Sequence, residues 1–210
     1  MIEAKEIYKT YKDREVIKNL SFTIQKNKLT SITGESGSGK TTLLNVLSLL
    51  EKPDKGTIKI EGIINPKRRE VMLLQRNVIS YLFQNYGLIE DETVEENLKI
   101  SFAYKKIKDI KLEMHTALLY VGMPGFEKRK VYELSGGEQQ RVALARVILK
   151  DSDYIFADEP TGNLDTKNRD LVFSILRDMA NKGKGVVLVT HDAELARQTD
   201  YNITLERDKK

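Results

Sequence analysis

A chain of 210 residues, 40% of them hydrophobic, carries enough apolar material for one domain with a core and excludes wholesale disorder. It has no cysteine and two histidines, His115 and His191, which excludes a disulfide scaffold, a thiolate nucleophile, a cysteine-ligated zinc or iron–sulfur centre and a multi-histidine metal site. Its 35 Lys and Arg against 31 Asp and Glu give a net charge of +4, and the basic clusters Lys67-Arg68-Arg69 and Lys128-Arg129-Lys130 each have a glutamate beside them, so they read as solvated faces rather than as a nucleic-acid stripe.

In chain order, Ile2–Tyr8 and Val16–Ile24 alternate around a polar turn and predict two antiparallel-type strands. Leu29–Thr33 is a short apolar strand entering a glycine-rich turn, and Lys40–Leu50 is helical up to Pro53-Asp54-Lys55-Gly56. A strand at Thr57–Ile60, a helix at Arg68–Arg76 and a strand at Val78–Phe83 follow. From about residue 87 to 151 the pattern is helical throughout. Thr93 with Glu96 is a capping box, Ile107–Val121 has apolar residues at helical spacing and ends at Gly122, and Ser135–Leu149 is a third helix. Alternation then resumes with strands at Tyr154–Ala157, Gly185–Thr190 and Tyr201–Leu205 and helices at Thr166–Ala180 and Asp192–Gln198. Apolar strands alternating with helices predict an α/β fold with a mixed, mainly parallel sheet. Beside it stand a small N-terminal antiparallel β subdomain and a helical insert. This is one domain over 1–210, with a core at about 1–86 and 152–210 and a helical subdomain at about 87–151. The opening MIEAKEIYK has no apolar signal-type run, and no stretch approaches the roughly 18–20 apolar residues of a bilayer span, so a role at a membrane is expected to come through a partner.

Three segments carry chemistry. Gly34-Glu35-Ser36-Gly37-Ser38-Gly39-Lys40-Thr41 matches G-x-x-x-x-G-K-[ST] between a strand and a helix, so Gly34, Ser36, Gly37, Ser38, Gly39, Lys40, Thr41 and Thr42 are expected to hold the phosphates of a nucleotide. Lys40 would reach the β- and γ-phosphates and the Thr41 hydroxyl would bind Mg2+. The glycine spacing is not G-x-G-x-x-G, which disfavours a dinucleotide site. Tyr154–Glu159 is an apolar strand ending in two acids. Asp158 suits the metal shell and Glu159 a general base acting on water, because consecutive residues at a strand end point in different directions. Leu134-Ser135-Gly136-Gly137-Glu138 opens a helix. Ser135 and Glu138 form a capping box, yet adjacent glycines there cost about 1 kcal/mol each against alanine if helical, and such glycines mark close backbone approach. Ser135, Gly136, Gly137 and Glu138 therefore make a second anion-facing device on one chain.

Taken together, these segments resemble the ATP-binding subunits of ABC (ATP-binding cassette) transporters over essentially the whole chain, with Leu134–Gln139 as the family signature. The resemblance implies an ATPase that uses ATP and Mg2+ and works as a head-to-tail homodimer, each ATP lying between one copy's glycine loop and the other's signature. It also implies further site residues. Gln84 looks like the Q-loop glutamine, touching Mg2+ and the attacking water; the plain alternative is a polar strand end. Asp165 looks like the D-loop aspartate, and it also suits a helix cap. His191 looks like the switch histidine at the γ-phosphate; the alternative is a structural histidine. Tyr11 looks like the aromatic that stacks on adenine, with Tyr8 as its competitor, and His115 matches nothing. Asp158–Asp165 is similar to the subgroup that energises macrolide-export, lipoprotein-release and peptide-antibiotic or bacteriocin-export permeases. That implies a separate integral-membrane permease docking near Gln84 and the helical subdomain, with the subunit on the cytoplasmic face of the membrane and no nucleic acid involved. Tyr86, Leu88 and Ile89 read either as exposed contacts for that permease or as part of the insert's own core. Two competing readings are a non-transport ABC ATPase acting on nucleic acid or ribosomes and a small-molecule kinase. The first lacks room for a coiled-coil insert, zinc cysteines or a duplicated cassette; the second leaves the signature helix without a job.

Overall fold

The computed structural model describes residues 1–12, 14–162 and 164–206. Two sheets form. Strands β1 (Ile2–Tyr11) and β2 (Arg14–Ile24) make a long antiparallel hairpin, and β4 (Lys55–Ile60) and the two-residue β5 (Ile63–Ile64) extend it in the order β2-β1-β4-β5. β1 and β2 outrun their expected limits because register shifts near Ile7 and Lys9 absorb the polar residues and carry the pairing on to Tyr11 opposite Arg14. β5 was not anticipated; two isoleucines after a Glu61-Gly62 turn are too short a run to show a period.

The second sheet contains β3 (Lys28–Gly34), β6 (Ile79–Leu82), β7 (Tyr154–Asp158), β8 (Gly185–Val189) and β9 (Tyr201–Leu205), in the order β6-β7-β8-β3-β9. Every pairing in it is parallel, so the mixture of strand directions lies between the sheets and not within one. β7 and β8 are buried at every position, as a doubly covered parallel sheet requires.

Alternation along these strands feeds two cores. Tyr154, Phe156, Val187, Val189 and Ile32 face α1 (Lys40–Leu47) and the inner side of the antiparallel sheet. Ile155, Ala157, Val186, Leu188 and Leu29 face α5 (Gly136–Lys150), α6 (Thr166–Asn181) and the inner side of the helical segment between β6 and β7. That segment comprises α3 (Val94–Lys99), α4 (Ile110–Tyr120), α5 and two short 3-10 turns. The remaining helices are α2 (Arg68–Asn77) and α7 (Ala193–Arg197). Helix α1 stops at Leu47, three residues early, because Leu49 takes a left-handed φ of 61°. Helix α4 starts at Ile110 rather than Ile107 because Asp109 caps it, accepting the Leu112 N–H at 3.0 Å. Among the described residues no helix is long and apolar enough to cross a membrane.

Candidate active site

The glycine loop leaves β3 at Gly34 and enters α1 at Lys40, as its spacing requires. Two of its glycines are obligatory on steric grounds. A Cβ on Gly34 (φ 145°) would lie 2.3 Å from the Leu205 carbonyl oxygen, and one on Gly39 (φ 97°) would lie 2.6 Å from Val16 Cγ1. The Lys40 side chain folds back into the loop it follows. Its Nζ donates to the Gly34 and Glu35 carbonyls at 3.0 and 2.9 Å. Burial lowers the Lys40 pKa, against the opposing pull of Glu159 and Asp158. Ser38 Oγ is buried with no hydrogen-bond partner among the described residues. From outside, Arg14 donates to the Gly37 carbonyl at 3.0 Å.

Strand β7 ends at Asp158, and Glu159 follows it at the same sheet end. Asp158 is 6% exposed and accepts a hydrogen bond from Thr41 Oγ1 at 3.1 Å. Its pKa is raised, chiefly by burial and also by the neighbouring Glu159 charge, so its anionic form favours an added cation. A hydroxyl and a carboxylate side by side are hard oxygen ligands of the kind Mg2+ takes with substrate phosphates. Glu159 has a left-handed φ of 46°. Its Oε1 lies 2.7 Å from Nε2 of His191, which follows the neighbouring strand β8. A cavity of about 250 Å³ collects these parts; Ser36, Gly37, Gly39, Lys40, Thr41, Thr42, Glu159 and His191 line it, with Val16.

Other expected residues stand apart from this cavity. Gln84 lies just beyond β6, the neighbour of β7, with an exposed side chain. Tyr11 ends β1, its hydroxyl bonded to the Glu51 carboxylate with Thr42 beside it; burial and Glu51 raise its pKa. Tyr8 instead has its ring 5.9 Å from Lys55 Nζ. Ser135 and Glu138 form the expected capping box, with the Ser135 N–H donating to Glu138 Oε2 at 2.8 Å. Asp165 caps α6, its carboxylate accepting from the Asn168 N–H at 2.9 Å and Nδ2 at 2.7 Å. Ser135, Gly136 and Asp165 are exposed, and none of them, nor Gly137 or Glu138, lines the glycine-loop cavity.

Some contacts were not legible. Asn168 links Asp165 to Arg141 on α5, and a Cβ on Gly137 would sit 3.1 Å from its Nδ2. Arg14 and Val16 brace the glycine loop from the hairpin. Only the paired glycines hinted at the first; nothing in the sequence signalled the second. Tyr86 and Leu88 pack against the core of the helical segment, whereas Ile89 is 50% exposed. His115 pairs with Glu127 at 3.1 Å on the surface.

A family model described as ABC transporter matches residues 17–162. The chain is 37% identical to the lipoprotein-releasing system ATP-binding protein LolD of Aquifex aeolicus, over 100% of this chain and 95% of that one. It is 38% identical to the macrolide export ATP-binding/permease protein MacB of Escherichia coli, over 98% of this chain but only 33% of that protein's length. The fold superposes with a TM-score of 0.89 on the ATP-binding cassette MJ0796, solved as a dimer in a post-hydrolysis state bound to ADP and Pi; identity is 32%, covering 100% of this chain and 97% of the cassette.

Proposed function

The chain belongs to the ABC transporter family as one of its ATP-binding, ATP-hydrolysing subunits, and on that premise we propose how its residues divide the work. The triphosphate of ATP lies in the loop from Gly34 to Thr42, against inward backbone N–H groups and the N-terminus of α1. Lys40 exchanges the Gly34 and Glu35 carbonyls for the β- and γ-phosphate oxygens, and Tyr11 stacks on adenine. Thr41, Asp158 and Gln84 would hold Mg2+, which would neutralise phosphate charge when bound. Glu159 accepts a proton from the attacking water as its oxygen bonds to the γ-phosphorus and the bond to the ADP oxygen breaks. His191 steadies the Glu159 carboxylate and contacts the γ-phosphate.

The second half of each site comes from a second copy, head to tail, whose Ser135, Gly136, Gly137 and Glu138 meet the phosphates from the opposite side, with Asp165 beside them. One observation carries this reading. The glycine loop, Glu159 and His191 converge on one cavity, while the second glycine-opened helix start stands exposed and outside it. The capping box of Ser135 and Glu138 accounts for the start of the helix but not for its two adjacent glycines, and a second copy's nucleotide supplies a reason for them.

The likeness to LolD and MacB supports a bacterial permease partner of the kind that releases lipoproteins or exports macrolides, and we propose peptides or bacteriocins as further cargo classes and a peripheral position on the inner face of the membrane. The helical subdomain, about residues 87–151, and the core meet at a groove of about 480 Å³ lined by Leu50, Met72, Phe83, Ile100 and Tyr104 among others, which suits a cytoplasmic permease helix.

Glu159→Gln is the test. This variant is expected to bind ATP, to hydrolyse it about 10²–10⁴-fold more slowly, and to accumulate as a dimer in size-exclusion chromatography. Normal hydrolysis would remove Glu159 as the base, and a strictly monomeric variant at saturating ATP would remove the shared site.

A further inference from the structure

Two features of the segment after Gln84 do not serve any role assigned above. The first is strain. Tyr86 takes a left-handed φ of 64° and Gly87 one of 59°, in a tight turn where the Tyr86 N–H bonds the Phe83 carbonyl at 3.0 Å. For a bulky aromatic residue this conformation is a genuine outlier, held only when its surroundings require it. The second is what holds it. Arg146, on the same helix as the signature, donates to the Gly87 carbonyl at 2.6 Å and the Tyr86 carbonyl at 3.0 Å. Arg146 is partly buried, which lowers its pKa, and these two carbonyls offset part of the desolvation.

The strain and the clamp together aim the Tyr86 ring at the first turn of α5. A Cβ on Gly136 would lie 2.9 Å from the Tyr86 hydroxyl oxygen but 3.9 Å from its Cζ. The hydroxyl therefore lies close over Gly136, and a side chain at that position would displace the tyrosine. Gln84 and Tyr86 are two residues apart on one turn, and on the shared-site reading Gln84 serves the nucleotide of its own copy while the start of α5, beside Tyr86, serves that of the partner.

We propose that Tyr86 is a positioning residue that sets the signature's first turn against the neighbouring copy's nucleotide, with Arg146 as the clamp that locks its turn, so that each copy's two half-sites are mechanically joined. The inference rests on the shared-site reading, and its tests are built to fail separately from it. In the Glu159→Gln background, ATP-driven dimerisation is measured by analytical ultracentrifugation, and binding of a fluorescent ATP analogue to the isolated subunit is measured alongside. Tyr86→Ala is expected to weaken dimerisation about tenfold or more, equivalent to about 1.4 kcal/mol, and to leave nucleotide affinity of the single subunit within about twofold. Arg146→Gln is expected to do the same. Gly136→Ala alone is expected to weaken dimerisation by clashing with the hydroxyl, and Tyr86→Phe added to it restores the dimer, because the methyl then meets only ring carbon at an ordinary distance.

Dimerisation of Tyr86→Ala at the parent's ATP dependence overturns the proposal, as does a Gly136→Ala defect untouched by Tyr86→Phe. If the parent Glu159→Gln protein itself fails to dimerise, the shared-site reading falls first. Equal loss of nucleotide binding and dimerisation in Tyr86→Ala would mark a merely structural tyrosine and would also overturn the proposal.

Discussion

Gly39 and Gly37 sit two residues apart in the phosphate loop, both with left-handed backbone, and they make a matched pair for measurement. At Gly37 (φ 75°) an added Cβ meets nothing within 4 Å. Gly37→Ala is therefore expected to cost only the left-handed penalty of about 1–2 kcal/mol. At Gly39 the same methyl would stand 2.6 Å from Val16 Cγ1 and 2.9 Å from the Val16 carbonyl oxygen. Overpacking of that kind adds about 1–3 kcal/mol, so Gly39→Ala is expected to lose about 2–5 kcal/mol in all. That is a large share of the about 5–15 kcal/mol stability of an ordinary domain. Val16→Ala removes Cγ1 but not the carbonyl, and it should recover only part of the difference. Urea unfolding of the ligand-free variants gives the stabilities, and titration with a fluorescent ATP analogue shows whether the loop still closes on phosphate. If Gly39→Ala unfolds at the same urea midpoint as Gly37→Ala, the hairpin does not brace the loop and the steric argument is wrong.

Lys40→Ala removes the side chain folded back onto the Gly34 and Glu35 carbonyls and should abolish nucleotide binding or turnover; full ATPase activity would contradict its assignment. His191→Ala should lower kcat more than it weakens ATP binding, since His191 holds a carboxylate and not the loop; equal losses would mark a structural histidine. Glu95, bonded to Lys128 and to Lys99 at 2.9 Å, has its pKa held down from 4.5 to about 2, first by Lys128. A depressed carboxylate contributes stability that is present above its unfolded pKa and lost as pH falls through its folded one. The stability gap between wild type and Glu95→Gln should therefore narrow between pH about 4.5 and about 2; a constant gap across that window would refute the ion pairing.

The glycine loop and the two acids of β7 were legible because their chemistry is local. A strand, a turn and a helix lie consecutively in the chain, and Asp158 follows an apolar run. Ser135 and Glu138 were legible as a cap for the same reason. What could not be read was the meeting of distant segments. Val16 lies against Gly39, Tyr86 against Gly136 and Asn168 against Gly137, and each is a contact between surfaces set by tertiary packing. The glycines carry half of each message, since they show that something comes close without naming it. The fate of Tyr86 and Leu88 turned on the same point: apolar residues after a strand fit a core or a docking surface equally well until the helical segment is placed.

The connection between β6 and β7 explains how such distant parts act together. These strands are parallel neighbours, about 4.8 Å apart, and parallel neighbours need a crossover of a dozen residues or more. Here the crossover is the entire helical segment, which leaves β6 after Leu82 and enters β7 at Tyr154, so its two ends are anchored at opposite ends of neighbouring strands. The anchors are not equally firm. β7 is paired on both sides and buried throughout, which fixes Asp158. β6 is the edge strand, and the chain after Leu82 is exposed at Phe83, Gln84 and Asn85. Any displacement of the helical segment is therefore expected to move Gln84 more than Asp158, which the sheet holds. Arg146 and Tyr86 join the turn after Gln84 to the start of α5, so a displacement of Gln84 is expected to be felt at Ser135–Gly137.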